Sequence, residues 1–151
     1  MTFVIPAAHT AAVQQACRIP ALDARLALLT TPASPPYIEF YADPIPNPWD
    51  SGVPDDPAPT PIVTIPMAGA VGTVDEALFQ IQFVVPVEGQ VDGADPTTGT
   101  TVTWAVIYDG DGVVWGYGTV TDEAGDGHFK VQSTTALQGA FIRLLSGAVQ
   151  G

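Results

Sequence analysis

The sequence predicts a mainly β fold, an antiparallel β-sandwich or jelly-roll-like barrel with a short N-terminal helical segment. Three observations predict it. Apolar and polar side chains alternate in short runs through the C-terminal half, and turn residues recur there roughly every 8–12 positions. Only residues 7–29 combine an Ala/Leu-rich composition with the absence of glycine. The organisation expected is a helical segment or arm over residues 1–31, then a β-sandwich over residues 32–151 with a Pro-rich loop at residues 43–61.

The helical segment reads as two pieces. Thr10 is a candidate N-cap, and Ala12, Val13, Ala16 and Cys17 recur on one stripe. Pro20 removes an internal donor and biases Ile19 away from the α region, so the spacing predicts a break or sharp kink there. A second short helix follows, with Leu22, Leu26 and Leu29 at i, i+4 and i+7, and it ends at Thr30-Thr31-Pro32. The lone cysteine, Cys17, is expected on an apolar helix face rather than as an exposed thiol.

Residues Pro32 to Pro66 hold 11 of the 15 prolines, which predicts an extended, polyproline-like excursion with short edge pairings. Tyr37–Tyr41 and Ile62–Ile65 are the two candidate strands in it. Beyond Leu78, the alternation of Phe79, Ile81, Phe83, Val85 and Val87 with polar neighbours predicts one strand with a wet face. Thr101–Tyr108 and Val113–Val120 flank Asp109-Gly110-Asp111-Gly112, a strong hairpin signal. Gly116 and Gly118 share one face of the return strand, which predicts bulky neighbours lying close over it. His128–Ser133 with Phe129 and Val131 inward, and Phe141–Leu145, complete the strands.

Charge narrows the function. Sixteen acidic residues against four basic ones give −12, a field that repels phosphate and anionic lipid and excludes nucleic-acid binding. No apolar run reaches the roughly 20 residues of a membrane span, and the first residues lack a basic region ahead of an apolar stretch, so neither a membrane partner nor a secretion signal is expected. The Asp109 turn lacks the oxygen ligand at its fifth position and the Glu at its twelfth that a calcium loop needs. Asp92, Asp95, Asp122, Glu123 and Asp126 could gather with Asp109 and Asp111 around a loosely held cation, but solvated turn carboxylates are the simpler reading. His9 and His128 have no second ligand at metal-binding spacing, and no nucleophile elbow or phosphate-cradling Gly loop is present. No catalytic, cofactor or metal residues are expected, and the chain is not read as an enzyme. Trp104, Trp115 and Tyr117 read as core or cross-strand packing. Tyr37, Tyr41, Trp49, Asp55 and Asp56, on or beside the Pro-rich loop, are the candidate interface residues.

The stretch Gly99–Val120 resembles a strand and hairpin in a family of small structural proteins of tailed bacteriophages, where a pattern of the form GTA-x-W-x-R-hydrophobic-x-D-x-x-G precedes a G-x-V return strand. Ala21–Leu26 followed by Ile38-Glu39-Phe40-Tyr41 is similar to the same family's helix and first strand, with Pro46 and Pro48 near its proline. The likeness runs from about Gln14 to Val149; it departs from the family at Val106, where Arg is usual, and in the extra Pro-rich length between Pro44 and Pro61. It implies a non-enzymatic virion component, made in the host cytoplasm. The expected role is a capsid decoration or cement protein on the outer surface of the shell, with the major capsid protein as partner and a homo-dimer or homo-trimer as its assembly. A collar, neck or tail component is one alternative, and a carbohydrate-binding β-sandwich is another.

Overall fold

A computed structural model describes residues 7–42, 45, 60–67 and 69–150. Its first element is one continuous helix, α1, Ala7–Thr30, with Pro20 inside it. The expected break at Pro20 does not occur. Proline removes one N–H, and the carbonyl it strands belongs to Ala16, which is exposed and can bond water instead. Thr10 accordingly lies within the helix rather than capping it. Downstream of Pro20 the leucine stripe docks as expected: Leu22 and Leu29 are buried and Leu26 is half-buried against the core. Upstream the reading is corrected, because every residue from Ala7 to Cys17 is exposed, Cys17 included. That stretch has small side chains and a weak apolar stripe, too little to hold it on the sheet. Thr31 closes the helix, its Oγ1 donating to the Ala27 carbonyl at 2.7 Å.

The rest of the described chain is β: β1 Tyr37–Tyr41, β2 Val63–Pro66, β3 Gly72–Asp75, β4 Gln80–Phe83, β5 Val87–Gln90, β6 Thr100–Thr101, β7 Trp104–Tyr108, β8 Val114–Thr121, β9 Phe129–Val131, β10 Thr135–Ala136 and β11 Phe141–Gln150. The main sheet runs β2-β1-β7-β8-β9-β11-β4-β3, with β5 also on β11, while β6 and β10 form a separate pair. It curls on itself. The Ile62 carbonyl, just before β2, accepts from Asp92 at 3.2 Å and Gly93 at 3.1 Å, just after β5, so β2 at one end of the strand order meets the β5 branch carried on β11 in a barrel-like closure. The pairing is antiparallel except between β8 and β9, which run parallel over two residue pairs only.

Several strands differ from expectation for local reasons. The single strand expected from Phe79 to Glu88 is split into β4 and β5, which pair with the two halves of β11. Val84–Pro86 leaves the ladder between them, and proline can donate nothing to it. Phe79 belongs to the preceding turn, at φ +51°, with the Arg18 guanidinium 4.7 Å over its ring. Strand β3 was not anticipated. The last strand continues through Ser146 and Gly147 to Gln150, past the expected end at Leu145; Ser146 and Gly147 pair with Lys130 and Phe129, and the pairing with β9 shifts register at Leu145.

Two apolar layers lie on either side of the β1–β7–β8 sheet. The larger, on the inner side, includes Ile38, Phe40, Ala105, Ile107, Phe129 and Leu144 with the α1 leucines; the smaller, on the other, is Tyr41, Trp104 and Val106 with Tyr108, Val114 and Tyr117 against it. This is why Trp104–Ile107 are all buried despite alternating orientation. The β7–β8 hairpin forms as predicted. Asp109 Oδ1 accepts from the N–H groups of Asp111 and Val113, Gly112 takes φ +80°, and a Cβ on Gly110 would lie 1.9 Å from the Ser34 carbonyl oxygen, so only glycine fits there.

Candidate functional site

A half-open cleft of about 1100 Å³ lies between β8 and the C-terminal end of β11. Its cause is the shortness of β9. Strand β9 fills the place between β8 and β11 only over Phe129–Val131, and β8 pairs with it only at Val120 and Thr121. Above that point the wall is split. The last bond across β9 to β11 is a long one, Ala148 N–H to the His128 carbonyl at 3.5 Å.

One wall is β8. The inner apolar layer takes in Trp115 and Val120, and the register of Ala105 with Gly118 and of Ile107 with Gly116 puts both glycines on that same side. The predicted bulky cover is absent at Gly116, where a Cβ would meet nothing within 4 Å. At Gly118 the neighbour is a side chain, His128, whose Cβ would lie 2.9 Å away. Trp115 is anchored from both sides: its ring is edge-on to Phe83 at 5.8 Å, and Nε1 donates to the Arg25 carbonyl of α1 at 2.8 Å. The helix therefore borders the cleft and brings Arg25 to it.

The floor is the turn into β9. Asp122 Oδ1 accepts from the backbone of Ala124 and Gly125, and Gly127 N–H donates to Thr121 Oγ1 at 3.1 Å, which turns the chain back so that His128 faces Thr119. Thr119 Oγ1 and His128 Nδ1 are hydrogen-bonded at 3.1 Å. Lys130 Nζ donates to the Glu123 carbonyl at 3.2 Å. Among the described residues no carboxylate bonds His128, so no nucleophile–base–carboxylate relay is assembled there. The cleft brings together the residues of β8, aromatic rings and the cationic groups of Arg25 and Lys130.

Two of the sequence-predicted interface residues, Tyr37 and Tyr41, lie elsewhere. Tyr37 and Tyr41 sit on the outer side of β1, Tyr37 stacked on Tyr108 with ring centroids 5.1 Å apart and Tyr41 on Trp104 at 4.6 Å. Tyr41 is only 3% exposed, so in this chain it is packed rather than presented. Its burial, and the bond its hydroxyl donates to Glu39 at 2.5 Å, push its pKa far above the usual phenol range. Burial, then the charge of Glu39, raises that of Tyr37 as well. Trp49, Asp55 and Asp56 lie outside the described residues; Ile45, at the start of that loop, lines the cleft. The acidic turn residues do not converge: among the described residues no group of three or more His, Cys, Asp or Glu could hold a metal ion.

The cleft residues Arg25, Trp115, Gly116, His128 and Lys130 were not singled out together from the sequence. Glycines at alternate positions of a β-branched and aromatic strand were the available signal; Gly116 marks a gap, while Gly118 has His128 close over it as expected.

The chain was compared with family models, curated proteins and solved structures. None matches. The functional reading therefore rests on the geometry above and on the resemblance drawn from the residues. Among the described residues no helix is long and apolar enough to cross a membrane.

Proposed function

We propose that this chain is a non-enzymatic structural subunit of a tailed-phage virion, a decoration or cement protein bound to the outer surface of the major capsid shell. The observation that carries this reading is the exposed half of α1. From Ala7 to Cys17 every residue is exposed, and Val13 is 61% exposed. Helices gain most of their stability from packing, and an isolated stretch of this length is marginal in water. A surface that is helical yet unpacked in the lone chain suits a subunit completed by contact with a neighbour. The charge of −12 supports placement on the exterior, away from packaged DNA.

The test is co-sedimentation of the purified chain with empty shells, followed by cryo-EM of decorated particles. Density at icosahedral positions, lost in the surface variant Val13→Asp, is the expected result. A ring on the particle axis would replace the capsid placement with a collar, neck or tail one. A lone monomer by light scattering, with no affinity for shells or tails, overturns the reading.

A further inference from the structure

We infer that β3 is the pairing edge for a second copy of this chain: two copies join β3 to β3, antiparallel about a two-fold axis, and make one sheet that runs through the dimer. The inference concerns self-association, so it stands apart from the virion reading and is tested without shells.

Strand β3 ends the strand order and has one neighbour in it, β4. Its residues Gly72 to Asp75 lie opposite Phe83 to Gln80, and just before it the Val84 N–H donates to the opposite Val71 carbonyl at 2.9 Å. Bonded and non-bonded pairs alternate along an antiparallel ladder. Thr73 and Asp75 therefore bond β4, while the N–H and C=O groups of Gly72 and Val74 point away from it. Among the described residues nothing bonds these four groups. The other end of the order is not open in this way, because β2 meets the β5 branch through the Ile62 carbonyl and ends on Pro66.

The occupant follows from the register. Exposed edges are usually guarded by lysine, proline or a bulge, and Gly72-Thr73-Val74 carries none of these. Asp75, the next residue, is turned into its own loop: its carboxylate accepts from the Ala77 and Leu78 N–H groups at 3.0 Å each and from Gln82 Nε2 at 3.2 Å. With Thr73 opposite Thr73 of the second copy, Gly72 faces Val74 and Val74 faces Gly72. The two N–H and two C=O groups of each copy are then all satisfied across the axis. Thr73, exposed and uncharged, makes a favourable Thr–Thr cross-strand pair. Leu78 and Val84, 58% and 46% exposed, stand at the two ends of the β3–β4 hairpin as the apolar flanks of the edge. Pairing stops at two copies, because an edge joined to itself leaves no second edge open. An edge this short buries less than the roughly 800 Å² per partner of a stable interface, so association is weak and concentration-dependent. Each copy carries −12, so bulk charge opposes the approach and added salt should tighten the dimer, the reverse of an ion-paired interface.

The experiment is sedimentation equilibrium of the full chain across about 10–500 µM, with amide hydrogen exchange read residue by residue by NMR. Expected is a monomer–dimer equilibrium that tightens at least threefold between about 20 and about 500 mM salt. Exchange at Gly72 and Val74 should slow as the dimer fills, while Thr73, already bonded to β4, exchanges slowly throughout. Thr73→Lys sets two cations opposite each other at the axis and should weaken the dimer at least tenfold, although it brings the chain closer to neutrality. Val74→Pro removes an outward N–H that the β4 ladder does not use and should do the same, with a melting curve to show that the fold is kept; if that variant unfolds, Thr73→Lys alone decides. A monomer throughout the range, a trimer, a dimer that Thr73→Lys or a folded Val74→Pro leaves intact, or dimerisation without slowing at Gly72 and Val74 overturns the inference. So does a monomer in which an added alternating Thr-Val peptide slows those two amides, which would assign the edge to a foreign strand. A monomer that still co-sediments with empty shells overturns this inference and leaves the virion reading standing.

Discussion

Replacing Leu29 by Ala tests whether α1 is held by its C-terminal half. Leu29 is fully buried against the core and belongs, with Leu22, to the only buried part of the helix. Truncating a buried leucine removes its transfer free energy and leaves a cavity, which costs about 2–5 kcal/mol. The cost should fall in the upper half of that range, because Leu29 is fully buried in a core cluster built mostly of β-sheet residues, whose close packing limits collapse into the cavity. Urea unfolding followed by tryptophan fluorescence is the assay, with Trp115 hydrogen-bonded to α1 as reporter. With a slope of about 1–3 kcal/mol per molar urea, the midpoint should drop by about 1 M or more at an unchanged slope. Val13→Ala on the exposed half is the internal control, and in the monomer it should shift stability by no more than about 0.5 kcal/mol. A Leu29→Ala loss below about 0.5 kcal/mol, within the range of an ordinary surface change, would refute the docking argument. A Val13→Ala loss above about 1 kcal/mol would refute the free overhang.

Two further outcomes follow from local geometry. Pro20→Ala restores a helix donor at an exposed position and should raise stability and helical circular dichroism, by less than the roughly 3 kcal/mol of the intrinsic scale because proline also restrains the unfolded chain; an unchanged or lower midpoint would show that the proline sets a geometry the docked half needs. Asp95 has its pKa lowered, first by the Thr98 N–H and then by the Thr97 N–H that its carboxylate accepts at 2.7 and 2.8 Å. A lowered native pKa contributes stability that is present above the unfolded value of about 3.9 and lost as pH falls through the native one. Asp95→Asn should therefore be less stable than the parent at pH 7, with the gap closing below about pH 4 in urea midpoints taken at both. A gap of the same size at both pH values would assign the effect to the turn's shape instead of its charge.

The sequence carried what depends on neighbours along the chain. The leucine stripe after Pro20, the strand Tyr37–Tyr41 at its observed bounds, the Asp109 hairpin and the inward Phe129 and Val131 were all legible, because each rests on periodicity or turn chemistry. What was not legible depends on distant partners. Whether α1 survives Pro20 is decided by the exposure of Ala16 to solvent and by the sheet beneath Leu22 and Leu29. The gap beside Gly116 exists only because β9, from a different part of the chain, is short. Tyr41 read as an interface residue because it borders the Pro-rich loop, and its stacking on Trp104 could not be inferred from either residue alone.

Strand β7 is sealed on both sides, with the helix-bearing layer beneath it and the Tyr41–Trp104 layer above. Its amides, from Trp104 to Ile107, are thus the least accessible clock in the molecule. A force or denaturant that frees α1 and opens the split wall would reach them last. Opening at the rim thus leaves this central rib as the last keeper of the native fold.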